Sequence, residues 1–237
     1  MGICIDVHTH SIASGHGTTA TLADMARAAA ARQMTALCIT DHGPATLGAA
    51  TASYFMGLAN VPRSRFGVRL LLGCEANICD FNGTLDLPDP ILAALDFNIA
   101  SLHPQNIQPG TVLQNTRAVI KAMENPHIRL IGHPDDEKYP LDPKAFVEAA
   151  KGTHTLVELN RASLAPDGYR GHARQRDAAL LHWCAMYGQP VVFGSDSHGP
   201  EHVGDFAECM ALVREVGFPE ALILNDQVER ILGFKNA

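Results

Sequence analysis

Two histidines stand two residues apart at the end of the first apolar run of the sequence, Ile5-Asp6-Val7-His8-Thr9-His10. Successive side chains of a β-strand point to opposite faces, so His8 and His10 would point to the same face. Neutral imidazole is the commonest side-chain ligand of zinc, and it also suits iron and nickel. The spacing therefore predicts that two nitrogen donors converge on a metal site at the end of the first strand.

Residues of the same metal-binding types recur after other apolar runs, whereas a single pair would be weak evidence. A histidine, aspartate or glutamate follows or ends a run at each of these places: His16, Asp41-His42, Glu75, His103, His133 and Asp196-Ser197-His198. This recurrence is hard to obtain by chance. It predicts that several strand ends contribute ligands to one centre.

The apolar runs are short and alternate with helical patterns. After the first run, which ends at His10, strands are predicted over residues 36–40, 68–74, 97–102, 128–131, 155–159 and 190–194. Helices are predicted over residues 21–33, 111–124, 142–151, 175–187, 204–215 and 225–233, with a loop that contains one irregular helix at 45–67 and a surface turn at 80–90. This alternation is typical of a parallel sheet that is buried on both faces.

The positions of the candidate ligands favour a closed barrel over an open sheet. Side chains at the carboxyl ends of seven strands can face one point on the rim of a barrel, and barrel enzymes have their active sites on that rim. A chain of 237 residues is long enough for one such unit. We therefore predict an α/β protein in which residues 1–237 form a single domain, a TIM-like (β/α)7 barrel.

Composition excludes several classes of partner. The net charge of −7 argues against a surface for long nucleic acid, since such affinity is built from clustered Lys and Arg. No run approaches the roughly 18 apolar residues that span a membrane. The six cysteines show no CxxC spacing and no export signal is visible, so we expect a reducing, cytoplasmic setting.

The motifs that carry these residues resemble those of the PHP (polymerase and histidinol phosphatase) superfamily. They are His8-Thr9-His10, Thr40-Asp41-His42-Gly43, Glu75-Ala76-Asn77, Gly132-His133-Pro134 and Gly194-Ser195-Asp196-Ser197-His198. The resemblance spans the chain and is greatest to stand-alone PHP phosphatases of the YcdX type, down to Gly204-Asp205-Phe206-Ala207-Glu208-Cys209 and Ile223-Leu224-Asn225. It implies a distorted seven-stranded barrel, three divalent metal ions and a homo-oligomer such as a trimer.

The resemblance also implies how the ligands are divided among the three ions. One ion takes His8, His10, Glu75 and Asp196, a second takes Glu75, His103 and His133, and a third takes His16, His42 and His198. Glu75 would bridge the first two. The ions are expected to be zinc, with manganese and iron as alternatives.

The number of donors agrees with this division. Seven histidines and two carboxylates, with one carboxylate counted twice, give three or four protein donors per ion. Catalytic zinc usually keeps about three protein ligands and leaves a position open. Burying these groups together without cations would be costly.

The leading functional prediction is a phosphomonoesterase, or more broadly a phosphoesterase, that acts on a small phosphorylated molecule. A metal-bound hydroxide would attack phosphorus, and His10, Asp41 or Asp196 would order it or help to protonate the leaving group. Arg161 and Arg170 are candidates for a phosphate clamp, because guanidinium matches phosphate bidentately, although both could also be solvated loop residues. Asn77 and Asn160 stand at strand ends and are expected to orient the ligands.

Two other functions remain open at this stage. An amidohydrolase-type deaminase or lactonase also begins with an HxH pair, but it usually needs a modified lysine or a carboxylate on a middle strand. The candidate lysines, Lys121, Lys138, Lys144 and Lys151, fall in predicted helices or loops. A non-catalytic metal-binding PHP domain is the third possibility, yet such domains tend to lose ligands and none is missing here.

The sequence departs from the family around the site. The loop from Ala45 to Phe55 consists of small residues, and Pro104 follows His103 where some relatives have a carboxylate. These differences affect the shape of the substrate site and leave the ligand set intact, so the identity of the substrate stays open.

Overall fold

The structure is a computed structural model that describes residues 2–168 and 170–236. Within these residues one sheet contains β1 (Ile5–Asp6), β2 (Ala36–His42), β3 (Ser64–Arg65), β4 (Val68–Asn77), β5 (Phe97–Ser101), β6 (Ile128–Ile131), β7 (Leu156–Asn160) and β8 (Val191–Gly194). Seven strands run parallel in the order β1-β2-β4-β5-β6-β7-β8, and the short β3 pairs antiparallel with β4. Together with the surrounding helices, these strands form a nearly closed barrel, so the predicted single-domain seven-stranded fold is confirmed.

The barrel closes irregularly between β1 and β8. At the carboxyl ends, the His10 N–H donates to the Ser197 carbonyl and the Asp196 N–H donates to the His8 carbonyl, at 2.9 and 2.8 Å. Further down, the side chain of Asn225 fills the gap. It donates to the carbonyls of Ile5 and Phe193 and accepts from the Phe193 N–H.

This closure changes the first predicted strand. Regular pairing in β1 stops at Asp6, so His8 and His10 lie beyond it and not within an extended strand. In contrast, β4 continues three residues past its predicted end and includes Glu75. Both differences from the prediction lie at the carboxyl ends of the strands, where the chain forms the rim of the barrel.

The helices are α1 (Leu22–Ala31), α2 (Ala52–Gly57), α3 (Asp89–Leu92), α4 (Val112–Met123), α5 (Pro143–Gly152), α6 (Arg161–Leu164), α7 (Ala173–Tyr187), α8 (Ala207–Val216) and α9 (Val228–Gly233). Thr21 caps α1 in a reciprocal capping box with Asp24, as its sequence position predicts. The last two helices begin three residues later than predicted, and the short helices α3 and α6 were not predicted. Among the described residues, no helix has the length and hydrophobicity needed to cross a membrane.

Apolar side chains pack on both faces of the sheet. One cluster lies between the strands and the helices, and a smaller one, which includes Val7, Leu71, Phe97 and Leu130, packs against the segment around α9. Arg129 at the start of β6 donates to the carbonyl of Leu232, which places α9 at the amino ends of the strands. The opposite, carboxyl end of the barrel is left open for polar side chains.

Candidate metal centre

Glu75 lies at the centre of the predicted ligands. Its Oε1 atom is 2.9 Å from His133 Nε2 and 3.3 Å from His103 Nε2. Its Oε2 atom is 2.7 Å from His42 Nδ1, 3.5 Å from His8 Nε2 and 3.6 Å from His10 Nε2. A fully buried carboxylate on β4 is thus surrounded by five imidazole rings that come from four other segments of the rim.

The remaining predicted ligands adjoin this group. Asp196 Oδ1 is 3.1 Å from His10 Nε2 and 3.7 Å from His8 Nε2. The ring of His198 stacks on that of His10 with centroids 4.1 Å apart, and the ring of His16 lies 4.8 Å from that of His42. All nine side chains predicted as ligands are therefore brought together.

Among the described residues, three sets of donor atoms lie close enough to hold an ion. They are His10, His42 and His198; His8, His10 and Glu75; and His42, Glu75 and His103. The sets overlap at His10, His42 and Glu75, so their six side chains form one continuous cluster. His16, His133 and Asp196 adjoin this cluster but belong to none of the three sets.

The cluster contains buried polar atoms that the protein does not satisfy. His8 Nε2, His42 Nδ1 and Glu75 Oε2 are inaccessible to solvent and make no well-aligned hydrogen bond among the described residues, although His42 Nδ1 and Glu75 Oε2 lie only 2.7 Å apart. Leaving such atoms unpaired is costly, and a cation would satisfy them together. A set of imidazole nitrogens and carboxylate oxygens is also the donor chemistry that zinc binds, so the residues fit a metal.

The outward nitrogen of several rings is held by a neighbouring acceptor. His8 Nδ1 is 2.8 Å from Glu158 Oε1, His103 Nδ1 is 2.7 Å from Asn77 Oδ1, and His198 Nδ1 is 3.2 Å from the carbonyl of Asp196. Since these oxygens can only accept, each Nδ1 carries a hydrogen, and Nε2 is the nitrogen that faces the cluster. Metal-binding histidines are commonly oriented in this way.

Glu158 was missed in the sequence. It lies within β7, in the apolar run Leu156-Val157-Glu158-Leu159, and it is 1% exposed. A single carboxylate inside a strand that is otherwise apolar is the signal that could have identified it. Asn77, by contrast, was predicted to orient a ligand and is placed to do so.

A second group of polar side chains surrounds Asp196. Its Oδ2 atom accepts from Arg170 Nη1 at 3.2 Å and from Asn160 Nδ2 at 3.3 Å. Arg170 is 5% exposed and lines the cavity over the cluster. Arg161, the other predicted clamp residue, instead forms an ion pair with Asp205 at 3.3 Å and is not among the residues that line this cavity.

Asp41 lies behind the cluster. Its carboxylate accepts hydrogen bonds from the Ser11 N–H, the Ser11 hydroxyl, the Ser14 hydroxyl and the Tyr54 hydroxyl, at 2.6 to 2.8 Å. Asp41 is therefore engaged with the loop after β1 and with α2.

Burial and neighbouring charges shift the pKa values of several of these side chains toward the protonation states that bind a cation. Burial, reinforced by His198 and His42, holds the pKa of His10 well below its ordinary value, and burial lowers the pKa of His103 to about 4. For Glu75, burial opposes ionisation, but the rings of His103, His8 and His42 outweigh it and hold the pKa well below normal. The central carboxylate is thus ionised, and His10 and His103 are held in their neutral forms.

Three of the predicted ligands have left-handed backbone conformations. The φ angles are +55° at His16, +30° at His133 and +55° at Asp196. Such conformations cost about 1–3 kcal/mol in residues other than glycine and are concentrated at functional sites. The backbone is therefore strained where it aims these three side chains.

A cavity of about 440 Å³ opens over the cluster. Its walls include five of the predicted histidine ligands, Asp196, Arg170 and the neutral residues Thr46, Pro104 and Gln105. A second cavity of about 510 Å³ lies between α7 and the start of α5, and it contains none of the predicted ligands. The first cavity is the one that a substrate would share with the metals.

The chain matches the family model of the PHP domain over residues 6–161. It is 40% identical over 234 residues to a "probable phosphatase" of Caldicellulosiruptor saccharolyticus. The aligned region covers 99% of this chain and 96% of that protein. It is also 40% identical over 230 residues to a "probable phosphatase" of Acetivibrio thermocellus, which covers 97% of this chain and 94% of that protein.

The fold is similar to a solved structure from Lactococcus lactis. That protein is histidinol phosphate phosphatase in complex with zinc, L-histidinol and phosphate. The TM-score is 0.67 at 18% sequence identity, with 92% of this chain and 95% of that chain covered.

The barrel and the cluster on its rim define a hydrolase of the phosphatase type. The chain belongs to the PHP family, as its motifs indicate. The predicted family, fold and enzyme class are thereby confirmed.

Proposed function

We propose that this protein is a metal-dependent phosphomonoesterase that hydrolyses a small phosphorylated molecule with the help of three divalent cations. The observation that supports this most is the position of Glu75, whose two oxygens each face two or more imidazole nitrogens. A buried carboxylate in this setting is suited to bridge two cations.

The proposed ligands follow the division implied by the family. His8, His10, Glu75 and Asp196 would hold one ion, Glu75, His103 and His133 a second, and His16, His42 and His198 a third. The zinc in the related histidinol phosphate phosphatase supports zinc as the metal, with manganese and iron as alternatives. When bound, clustered divalent ions polarise a phosphoryl group and lower the pKa of water toward neutrality.

Arg170 is the side chain best placed to bind the phosphoryl group. It lines the cavity, and Asp196 and Asp136 hold its guanidinium, with Nη1 to Asp196 Oδ2 at 3.2 Å and Nε to Asp136 Oδ2 at 3.8 Å. A guanidinium that is fixed in this way presents positive charge without losing side-chain entropy on binding. Arg161 is not among the residues that line the cavity, which supports Arg170 as the clamp.

The predicted catalytic residues have different surroundings. His10 and Asp196 face the cluster, so we propose that they act as ligands and fix the position of the attacking water. Asp41 already accepts four hydrogen bonds, which supports a role in positioning and not in proton transfer.

The cavity suits a compact substrate. A volume of about 440 Å³ lies within the range of small-molecule sites. The complex of histidinol phosphate phosphatase with L-histidinol and phosphate supports a phosphomonoester of similar size. The acidic net charge, −7, argues against long nucleic acid.

The alternative functions have less support. Lys121, Lys144 and Lys151 lie on helices and Lys138 lies on an exposed turn, so none can supply the modified lysine of an amidohydrolase. All nine candidate ligands are present beneath an open cavity, which argues against a non-catalytic domain.

We also propose that residues 1–237 form one PHP domain, that it assembles as a homo-oligomer such as a trimer, and that it works in a reducing, cytoplasmic setting. The six cysteines are free thiols, which supports the last point. Light scattering of the purified protein measures the oligomeric state.

Metal analysis combined with a phosphoester panel tests the proposed function. Protein purified without chelator should contain close to three divalent ions per chain, and a stripped sample should regain phosphomonoesterase activity with zinc, manganese or iron. His103→Ala should lose metal and activity, whereas His127→Ala, away from the cavity, should lose neither. One ion or fewer per chain, or no phosphoester turnover by metal-loaded protein, would contradict the proposal.

A further inference from the structure

Ser14 lies behind His10, at the end of the short turn Ile12–Ser14, and is fully buried. Its Oγ atom is 2.9 Å from His10 Nδ1, 2.7 Å from Asp41 Oδ1 and 3.1 Å from the backbone nitrogen of His42. One hydroxyl thus connects the loop after β1 to the end of β2.

A serine hydroxyl has one hydrogen to donate and two lone pairs to accept. The His42 N–H can only donate, so it occupies one lone pair. The Asp41 carboxylate can only accept, and the Ser11 N–H, the Ser11 hydroxyl and the Tyr54 hydroxyl donate to it as well. The single hydrogen of Ser14 therefore points to Asp41, and its second lone pair faces His10.

This arrangement fixes the hydrogen on the ring of His10. Nδ1 must donate to Ser14, which leaves Nε2 to face the cluster. Nε2 is 3.1 Å from Asp196 Oδ1 and 3.6 Å from Glu75 Oε2. Without a cation, Nε2 can itself donate to Asp196 Oδ1, so what Ser14 fixes is the hydrogen on Nδ1. A cation at the cluster would take the place of the hydrogen on Nε2.

We propose that Ser14 is a positioning residue that, with Asp41 behind it, holds His10 in the tautomer that binds metal. The proposal rests on the proposed function in that it takes His10 as a ligand. Tyr54 extends the same chain of hydrogen bonds, because its hydroxyl donates to Asp41 at 2.7 Å from α2. The orientation of His10 is thereby tied to the segment that forms one wall of the cavity.

Nitrogen NMR of the His10 ring in metal-free, full-length protein tests the tautomer directly. The signals are assigned by their absence in His10→Gln. Wild-type protein should show hydrogen on Nδ1, whether or not Nε2 also carries one, whereas Ser14→Ala should lose the preference for Nδ1. A wild-type ring without hydrogen on Nδ1 would overturn the proposal, whether or not Ser14→Ala folds.

Zinc affinity gives a second readout that requires no turnover. Ser14→Ala should weaken zinc binding by about 10–100-fold, the usual effect of losing a group that orients a ligand. Ser14→Thr keeps the hydroxyl and should restore affinity. Ser11→Ala removes a different donor to Asp41 and the side-chain cap of the Ile12–Ser14 turn, but it leaves the contact between Ser14 and His10, so its loss of affinity should be smaller than that of Ser14→Ala.

Two outcomes would contradict a positioning role. Ser14→Ala could bind zinc as tightly as wild type, or Ser11→Ala could lose as much affinity as Ser14→Ala, which would indicate general damage to the loop. Failure of the proposed phosphatase activity would appear separately, as absent turnover in metal-loaded wild-type protein.

Discussion

His8 Nδ1 lies 2.8 Å from Glu158 Oε1, and both side chains are completely buried. The other oxygen of Glu158 accepts from the backbone N–H of His133 at 2.6 Å and from the Asn160 amide at 3.0 Å. One carboxylate on β7 thus orients the ring of one predicted ligand and the backbone of another. Glu158 shapes the cluster through these contacts without being one of the predicted ligands.

Glu158→Gln should weaken metal binding at the position held by His8. The amide keeps the size of the side chain but removes the charge and one acceptor, so the His8 ring loses its fixed orientation. We expect zinc affinity to fall by about 10–100-fold. Competition with a chelator measures this, and Glu137→Gln, which changes an exposed carboxylate, is the control. Equal affinities in the two variants would contradict the role assigned to Glu158.

Metal binding at neutral pH should release a proton from His8. Burial lowers the pKa of this ring, but Glu158, Glu75 and Asp196 together outweigh burial and raise it well above its ordinary value. Metal-free His8 therefore holds a second proton at pH 7, and a cation must displace it. We expect about one proton per chain to be released from this ring, measured by calorimetry in buffers of different ionisation enthalpy.

The same competition sets the direction of the pH dependence. A raised pKa means that the proton is bound below that pKa, so affinity is lost as the pH falls. Activity should therefore fall progressively as the pH is lowered through the neutral range, where metal-free His8 already binds its second proton. A constant rate between about pH 7 and pH 5 with unchanged metal content would contradict this expectation.

The sequence was sufficient to identify the nine candidate ligands but not the contacts that orient them. His8, His42 and Glu75 are visible because each follows or ends an apolar run, and strand ends of a parallel barrel meet at one rim. The partner of His8 is 150 residues away in the sequence, so no local pattern links the two. Likewise, regular pairing in β1 stops at Asp6, and the side chain of Asn225 bridges Ile5 and Phe193 where the barrel closes. Such contacts depend on how the barrel closes.

His16→Ala should remove one ion and leave the fold intact. His16 lies on an exposed loop with a φ angle of +55°, outside the barrel core, and its ring contacts those of His42 and His198. We expect one ion fewer per chain and an unchanged melting temperature in metal-free protein. His202→Ala, an exposed histidine away from the cluster, should keep all of its metal. Unfolding of the His16 variant would indicate a structural role instead.

Asp177→Asn should stabilise the metal-free protein at alkaline pH. Asp177 is 1% exposed on α7, and neither carboxylate oxygen has a hydrogen-bond partner among the described residues. Burial and the charges of Asp135 and Glu158 raise its pKa well above the ordinary value. Because the pKa is raised on folding, stability is greatest below the unfolded pKa of about 4 and is lost as the pH rises toward the folded value.

The amide side chain of the Asp177→Asn variant cannot ionise, so the variant does not lose stability in this way as the pH rises. Its melting temperature should exceed that of wild type by a few degrees at about pH 8, with a smaller difference near pH 5. Asp226→Asn changes an exposed carboxylate and should leave the melting temperature unchanged. If the variant is no more stable than wild type at about pH 8, ionisation of the buried Asp177 carboxyl does not destabilise the folded protein.

Glu75→Gln is the most direct test of the cluster. The amide keeps the size of the side chain but removes the negative charge that would allow two divalent ions to lie within about 4 Å of each other. The two ions assigned to Glu75 should weaken together, while the ion assigned to His16, His42 and His198 should largely remain. Phosphatase rate and metal content are measured on the same preparation, so loss of metal can be matched to loss of turnover. His103→Ala removes a ligand from only one of the two shared positions and should therefore lose fewer ions than Glu75→Gln. If Glu75→Gln retained all its metal and near-normal turnover, Glu75 would not be the bridge.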